Sequence, residues 1–308
     1  MADLRVKYIL DESVSTERGA SMMNMKVLTD LLQEVTYKKH CILQGMMITG
    51  VQYDSRKVEL GNLFVAIKGF ETDGHNYIRQ ALDNGAIAIL ISDEAYCSVE
   101  YPWILVEDSR LALAEMSSAF YGHPSEKLKL IGVTGTKGKT TTAYLVKSIL
   151  ENAGYKVGLI GTIEVIIGNE HISAVNTTPE SYVLQAYFAK MVEEGLEAVV
   201  MEVSSQGLML HRSQGFVFDF GIFTNLEPDH IGPNEHESFE DYMRCKSMLF
   251  RQCKVGIVNC DDKHWEQVVQ GHTCALERFG MGEQADIRAE GLELMRREDV
   301  LDSKLWVK

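Results

Sequence analysis

The stretch GVTGTKGKTTT, residues 132–142, decides the fold. A common phosphate-binding loop reads G-x-x-x-x-G-K-[ST]; its backbone amides cradle phosphates, its lysine reaches them and its hydroxyl meets Mg²⁺. Gly138, Lys139 and Thr140 supply the end of that pattern. The leading glycine is missing: Val133 stands where it should, and the glycines fall at Gly132 and Gly135, so this is a variant loop. Its surroundings support the reading. LKLIGVT before it is an apolar run of strand type. TTAYLVKSILENAG after it sets Ala143, Leu145, Val146, Ile149 and Leu150 at helical spacing and stops at Gly154. Strand, glycine-rich turn and helix together aim the amides of a helix start at an anion. The plain alternative is a βα turn without a ligand, but Lys137 and Lys139 flank the turn where packing has no need of them.

Composition sets wider bounds. The 308 residues suffice for about two domains with sizeable cores. A hydrophobic share of 45% and a charged share of 24% are ordinary for a globular protein. The net charge of −14 argues against a surface that coats nucleic acid, while leaving room for a small anionic ligand in a locally positive loop. The six cysteines form no C-x-x-C pair, so each is expected to be a reduced, buried thiol and the protein cytoplasmic. No apolar run is long enough to span a membrane.

Along the chain, residues 1–24 lack a clear period and are expected to be a disordered extension or the product of an early start codon. An amphipathic helix is expected from Met25. A first domain is expected over 25–126, with strands in DSRKVELGNLFVAIKG, IAILIS and WILVED and helices in NYIRQALDNGA and SRLALAEMSSAFYG. A break falls at HPSEK, and 127–308 forms the second domain. There strands are expected at 128–134, 156–161, 197–203, 217–224 and 254–259, with helices near 139–152, 180–194 and 239–251. This alternation predicts an α/β fold with a mainly parallel sheet flanked by helices, and ligands beyond the carboxyl ends of its strands.

The polar groups at those strand ends carry the chemistry. Glu202 closes the strand EAVVMEV and is a candidate Mg²⁺ ligand, with a helix-capping carboxylate as the even alternative. Asp229 and His230 follow FDFGIFTN, although a lone D-H pair is weak evidence. In SFEDYMRCKSMLF, Ser238 and Asp241 loosely fit a capping box. Lys246 leans toward the apolar face of Met243 and Phe250, either as a stem covering that face or as a partly buried amine of lowered pKa.

Taken in order, DSRKVELGNLFVAIKGFETDGHNYI, GVTGTKGKTTT, NTTPE, MEVSSQGLMLHR, FTNLEPDHI and YMRCKSMLF resemble the Mur ligases, most closely the MurE type, over residues 25 to about 290. The resemblance implies an N-terminal UDP-binding domain and a central ATP-binding domain. It also implies a reaction: ATP phosphorylates a carboxylate of UDP-N-acetylmuramoyl-L-alanyl-D-glutamate, and the amine of a diamino acid displaces phosphate to form an amide. A carboxylate is a poor electrophile, so phosphorylation supplies the leaving group, and positioning with charge neutralisation does the rest. By the same resemblance Gly135, Thr136, Lys137, Gly138, Lys139, Thr140 and Thr141 bind the ATP phosphates. Thr140 and Glu202 hold a first Mg²⁺ and His230 a second. Lys246 matches a lysine that the family carbamylates with CO₂, turning a cation into an anion that can face metal. Tyr53, Ser55, Phe70, Glu71 and Thr72 fall where the family holds UDP; Asn176, Thr177, Thr178, Ser204 and Arg212 fall where it holds the muramoyl peptide. Without the resemblance, NTTP reads as a strand-to-helix cap.

There are departures. Gln206 stands where many relatives carry histidine, Leu210 replaces a polar substrate contact, and Lys137 stands where asparagine is common. The family also has a third, C-terminal domain of roughly 150 residues that receives the amino acid. Nothing after the second domain matches it, so the chain is expected to be a gene fragment or one piece of a split enzyme, partnered by a separate C-terminal piece. Residues 1–308 alone are then expected not to complete the ligation. The added amino acid is expected to be meso-diaminopimelate, with L-lysine as the other option. The weaker readings are a folylpolyglutamate-synthase-like ligase, which lacks the UDP-binding segment, a non-catalytic binding fragment, and a generic phosphate-loop NTPase, which leaves Lys246 unexplained.

Overall fold

The computed structural model describes residues 25–70, 72–297 and 300–307, which form two compact units dividing after Ser109. The expected extension over 1–24, and Glu71, lie outside the described residues.

The first unit starts with β1 (Lys26–Val27), a single-turn helix α1 (Leu28–Leu31) and a 3₁₀ turn (Leu32–Glu34). The longer helix expected from Met25 is therefore corrected. Leu28, Leu31, Leu32 and Val35 are buried at helical spacing, but the chain is drawn off into β2 (Tyr37–Cys41). After β3 (Met47–Ile48) come β4 (Gly50–Gln52), β5 (Asn62–Val65), α2 (Ile78–Asp83), β6 (Ala88–Ile91) and β7 (Trp103–Val106). Strands β4 to β7 lie side by side and parallel, β2 closes antiparallel against β7, and β1 pairs with β3. Every residue of β5 and β6 is buried, the mark of parallel strands covered on both faces.

The second unit opens within α3 (Ser109–Tyr121), from Arg110 on. This helix precedes the break expected at HPSEK yet packs within the second unit: the Tyr121 ring lies 5.4 Å from that of Tyr182. Then follow β8 (Lys129–Thr134), α4 (Lys139–Asn152), β9 (Val157–Ile160), β10 (Glu164–Ile167), β11 (Glu170–Ser173), α5 (Ser181–Glu193), β12 (Ala198–Glu202), α6 (Ser205–Met209), β13 (Phe218–Phe223), α7 (Phe239–Ser247), β14 (Cys253–Asn259), α8 (Trp265–Val268), β15 (Ala275–Gly280), β16 (Ile287–Arg297) and β17 (Val300–Val307). They build a ten-stranded sheet in the order β11-β10-β9-β12-β8-β13-β14-β15-β16-β17. It is parallel from β9 to β16, with antiparallel strands at both edges. Alternation along each strand separates two cores. Leu130, Val199 and Met201 pack with Leu184, Phe188 and Met191 of α5, while Ile131, Val133 and Val200 pack with Ala143, Val146 and Leu150 of α4. The chain leaves β8 toward β9 on one side, returns through β12, and then crosses to β13 on the other. The crevice for a ligand therefore opens at the carboxyl end of β8.

Candidate functional site

At that crevice Gly135 follows β8 with φ at 150°, and a Cβ on it would lie 2.0 Å from Thr224 Oγ1, so only glycine fits. Gly138, in the left-handed region at φ 81°, turns the chain into α4. Thr136 is buried and anchors the loop: its Oγ1 accepts from the Glu227 amide at 2.9 Å and lies 3.1 Å from the Tyr242 hydroxyl. The Lys137 amide donates to Asn225 Oδ1 at 2.9 Å, and its amine pairs with Asp229 at 2.9 Å. Lys139 folds back on the loop, donating to the carbonyls of Gly135 and Thr136 at 3.0 and 3.1 Å. Burial holds this amine below its ordinary pKa. Thr140 opens the helix beside it, and Thr141 is exposed on the same turn.

Glu202 ends β12 inside the protein, 1% exposed. Its Oε1 accepts from the Thr162 amide at 2.9 Å, and its Oε2 from the hydroxyls of Thr162 and Thr140, both at 3.0 Å. It does not cap α6; Ser204 does, accepting from the Gly207 amide at 2.9 Å. A buried carboxylate gathered with two hydroxyls at a phosphate-type loop is a hard oxygen set with negative charge to share, so these residues fit a Mg²⁺ ion.

Helix α7 supplies the opposite side. Ser238 caps it by accepting from the Asp241 amide at 3.1 Å, as the capping box anticipates. Its inner face sends Lys246 into the core, 1% exposed. The Lys246 amine donates to Gly135 O at 2.9 Å and lies 4.5 Å from the centre of the Tyr242 ring. Burial, reinforced by repulsion from Lys139, holds this amine well below its ordinary pKa. His230 is half exposed on the neighbouring loop, in left-handed backbone at φ 53°, with Nδ1 3.2 Å from Glu235.

Lys139, Thr162, Asn176, Thr177, Ser204, Arg212 and His230 line one cleft of about 300 Å³. Thr177 Oγ1 lies 3.1 Å from Thr162 Oγ1, and Thr178, fully buried, donates to Glu202 O at 3.0 Å. Arg212 is fixed by Glu180 through Nε at 2.9 Å and by the Thr178 carbonyl at 3.2 Å; Glu180 also pairs with Arg110 at 3.4 Å. The sequence reading missed Thr162, Ser205 and His236 of this cleft. His236 stands six residues after His230, a spacing that carries no metal or catalytic signature; only the second histidine in DHIGPNEH hinted at it.

The remaining candidates sit on turns of the first unit. Tyr53 donates its amide to Gln52 Oε1 at 3.0 Å, and the buried Ser55 donates its hydroxyl to Gln80 at 2.7 Å. Phe70 is exposed, and Thr72 donates to the Tyr77 hydroxyl at 3.1 Å, in a turn closed by the Gly69 amide on Thr72 O at 2.9 Å. All six cysteines are free thiols, but only Cys245, Cys253 and Cys274 are buried as expected; Cys97 and Cys260 are half-buried and Cys41, on the edge strand β2, is exposed. Among the described residues no helix is long and apolar enough to cross a membrane.

Against known proteins, the profile of the Mur ligase middle domain matches residues 133–305, and that of the Mur ligase family catalytic domain matches residues 47–121. The chain is 46% identical over 257 residues to the UDP-N-acetylmuramoyl-L-alanyl-D-glutamate--2,6-diaminopimelate ligase of Clostridium botulinum, covering 81% of this chain and 52% of that protein. It is 43% identical over 275 residues to UDP-N-acetylmuramoyl-L-alanyl-D-glutamate--2,6-diaminopimelate ligase 1 of Clostridium acetobutylicum, covering 89% and 57%. The chain thus spans about half the length of the curated relatives it matches. A solved UDP-N-acetylmuramoyl-L-alanyl-D-glutamate--2,6-diaminopimelate ligase shares the fold with a TM-score of 0.75 at 24% identity, over 86% of this chain and 55% of that one.

Proposed function

The chain belongs to the Mur ligase family, and on that premise we propose that it forms the substrate- and ATP-binding part of a MurE-type ligase of peptidoglycan precursor synthesis. The observation that carries this reading is the shared cleft: the phosphate-loop lysine Lys139 lines the same 300 Å³ space as Asn176, Thr177, Ser204 and Arg212. A carboxylate and the phosphoryl group it receives must meet in one such space.

In this reading the amides at the start of α4 bind the ATP phosphates, framed by the 135–138 loop, whose Thr136 and Lys137 amides are held by Asn225. The Lys139 amine exchanges its two loop carbonyls for phosphate oxygens, where developing charge repays its confinement. Thr140 and Glu202 would hold Mg²⁺, which when bound neutralises phosphate charge during transfer. Arg212, squared up by Glu180, presents its guanidinium to the muramoyl peptide. The substrate carboxylate takes the γ-phosphoryl group as an acyl phosphate, and the incoming amine then forms the amide as phosphate leaves. Tyr53, Ser55, Phe70 and Thr72 are assigned to the UDP end. His230 and Lys246 are assigned to a second Mg²⁺. The burial that favours a neutral Lys246 amine favours the form that adds CO₂, and the resulting carbamate suits the neighbouring Lys139 cation. The relatives named as 2,6-diaminopimelate ligases support diaminopimelate over L-lysine as the added residue.

Calorimetric titration of the chain with a non-hydrolysable ATP analogue tests the site. Glu202→Gln keeps the shape and removes the charge. It is expected to weaken binding by roughly tenfold or more in Mg²⁺, and to leave metal-free binding nearly unchanged. Equal Mg²⁺-dependent affinities in the two proteins would remove Glu202 from the site.

A further inference from the structure

We propose that His236 is a positioning residue, tying the helix that carries Lys246 to the floor of the cleft. His236 is 1% exposed and bridges two elements: Nε2 lies 2.8 Å from Ser205 Oγ on α6, and Nδ1 lies 3.0 Å from Asp241 Oδ2 on α7. A carboxylate only accepts, so Nδ1 carries the proton, and in the neutral ring Nε2 accepts from the Ser205 hydroxyl. The ring also packs 5.2 Å from that of Tyr242.

Both ends of this bridge lead to candidate machinery. Ser205 follows Ser204, whose Oγ lies 3.2 Å from that of Thr178, and Thr178 donates to the Glu202 carbonyl at 3.0 Å. Beyond Asp241, α7 delivers the Tyr242 hydroxyl to Thr136 at 3.1 Å and the Lys246 amine to Gly135 O at 2.9 Å. A continuous path of packed and hydrogen-bonded groups thus runs from the substrate side of the cleft to the phosphate loop, with His236 as its joint. The ligand atoms of His236, Asp241 and Cys245 lie within 4.8 Å of one another, but a metal site is disfavoured there. The Cys245 thiol is pushed up to about 11, chiefly by burial, and Arg244 already holds Asp241 at 2.6 Å.

The significance of the joint rests on the ligase reading; its existence does not, so the test uses no ligand of that reaction. Hydrogen exchange of the full chain is compared in Ser205→Ala, which deletes one oxygen, and His236→Asn, whose amide keeps reach to Asp241 and gives up Ser205. Both are expected to raise exchange roughly tenfold over residues 239–247 and 135–138, the scale of one lost buried hydrogen bond. The double variant should exceed neither single one, because both break the same link. Because the 135–138 loop has no hydrogen bond to either substituted residue among the described residues and meets His236 through Tyr242, a merely local packing role would leave it unmoved. Faster exchange confined to 205–209 and 236–238, or effects that add in the double variant, would overturn the proposal.

Discussion

Two lysines, Lys139 and Lys246, donate to one carbonyl oxygen, that of Gly135. Each is held below its ordinary pKa by burial, and a neighbouring cation adds to the lowering in each case, Lys139 for Lys246 and Lys137 for Lys139. Such crowding costs stability and makes sense where anions are to arrive. Lys246→Met keeps the volume, removes the buried amine, and leaves Gly135 O bonded to Lys139. The folded chain binds the Lys246 proton less tightly than the unfolded chain does. Wild-type stability therefore rises with pH between the lowered folded value and the ordinary 10.5. In CO₂-free buffer the variant is expected to be more stable at pH 7, by roughly 1 kcal/mol or more, and its advantage should shrink as the pH approaches 10. Urea unfolding of both proteins at several pH values checks this; a difference that does not vary with pH would mean that Lys246 is not carried as a penalised cation.

At the scale of elements, α7 decides how the site is assembled. The helix is short, Phe239–Ser247, and its Ser238 cap fixes where it begins. Ser238→Ala is expected to cost about 1 kcal/mol of stability, read from a urea denaturation midpoint. No loss of midpoint would show that Asp241's contacts to His236 and Arg244 hold the helix start unaided. The elements also show what a linear sequence can reveal. Strands β8 and β12 were legible because strands buried on both faces are continuous apolar runs, β13 and β14 because they are mostly apolar although only partly covered, and α5 because its buried face recurs at helical spacing; in α4 Ala143 is buried as that spacing predicts, but Leu145 and Ile149 are exposed. The β10–β11 hairpin escaped notice although Gly168 at φ 58° and Asn169 mark its turn, since its outer strand is exposed and polar. The helix near Met25 was overextended because helical spacing in Leu28, Leu31, Leu32 and Val35 says nothing of where β2 will pair. The phosphate loop and Glu202 could be read locally. The links from Glu202 to Thr162, from Arg212 to Glu180 and from Ser205 to His236 join residues 40, 32 and 31 positions apart, and periodicity carries no information on such pairings.

For the whole molecule, the net charge of −14 stands beside a cleft that gathers Lys139 and Arg212, with Lys137 on the loop above, so the local field and not the total governs which ligand enters. On the proposed function, this chain holds the muramoyl-peptide substrate of a MurE-type ligase. The most direct test is calorimetric titration of the chain with UDP-N-acetylmuramoyl-L-alanyl-D-glutamate, with Arg212→Ala as the control. That variant leaves Glu180 its contact with Arg110, and a thermal melt confirms its fold. Saturable binding that weakens at least about tenfold in the variant, the loss of a charge-assisted fork, is the predicted result; a folded wild-type chain that gives no binding heat, or binds no better than the variant, would contradict it.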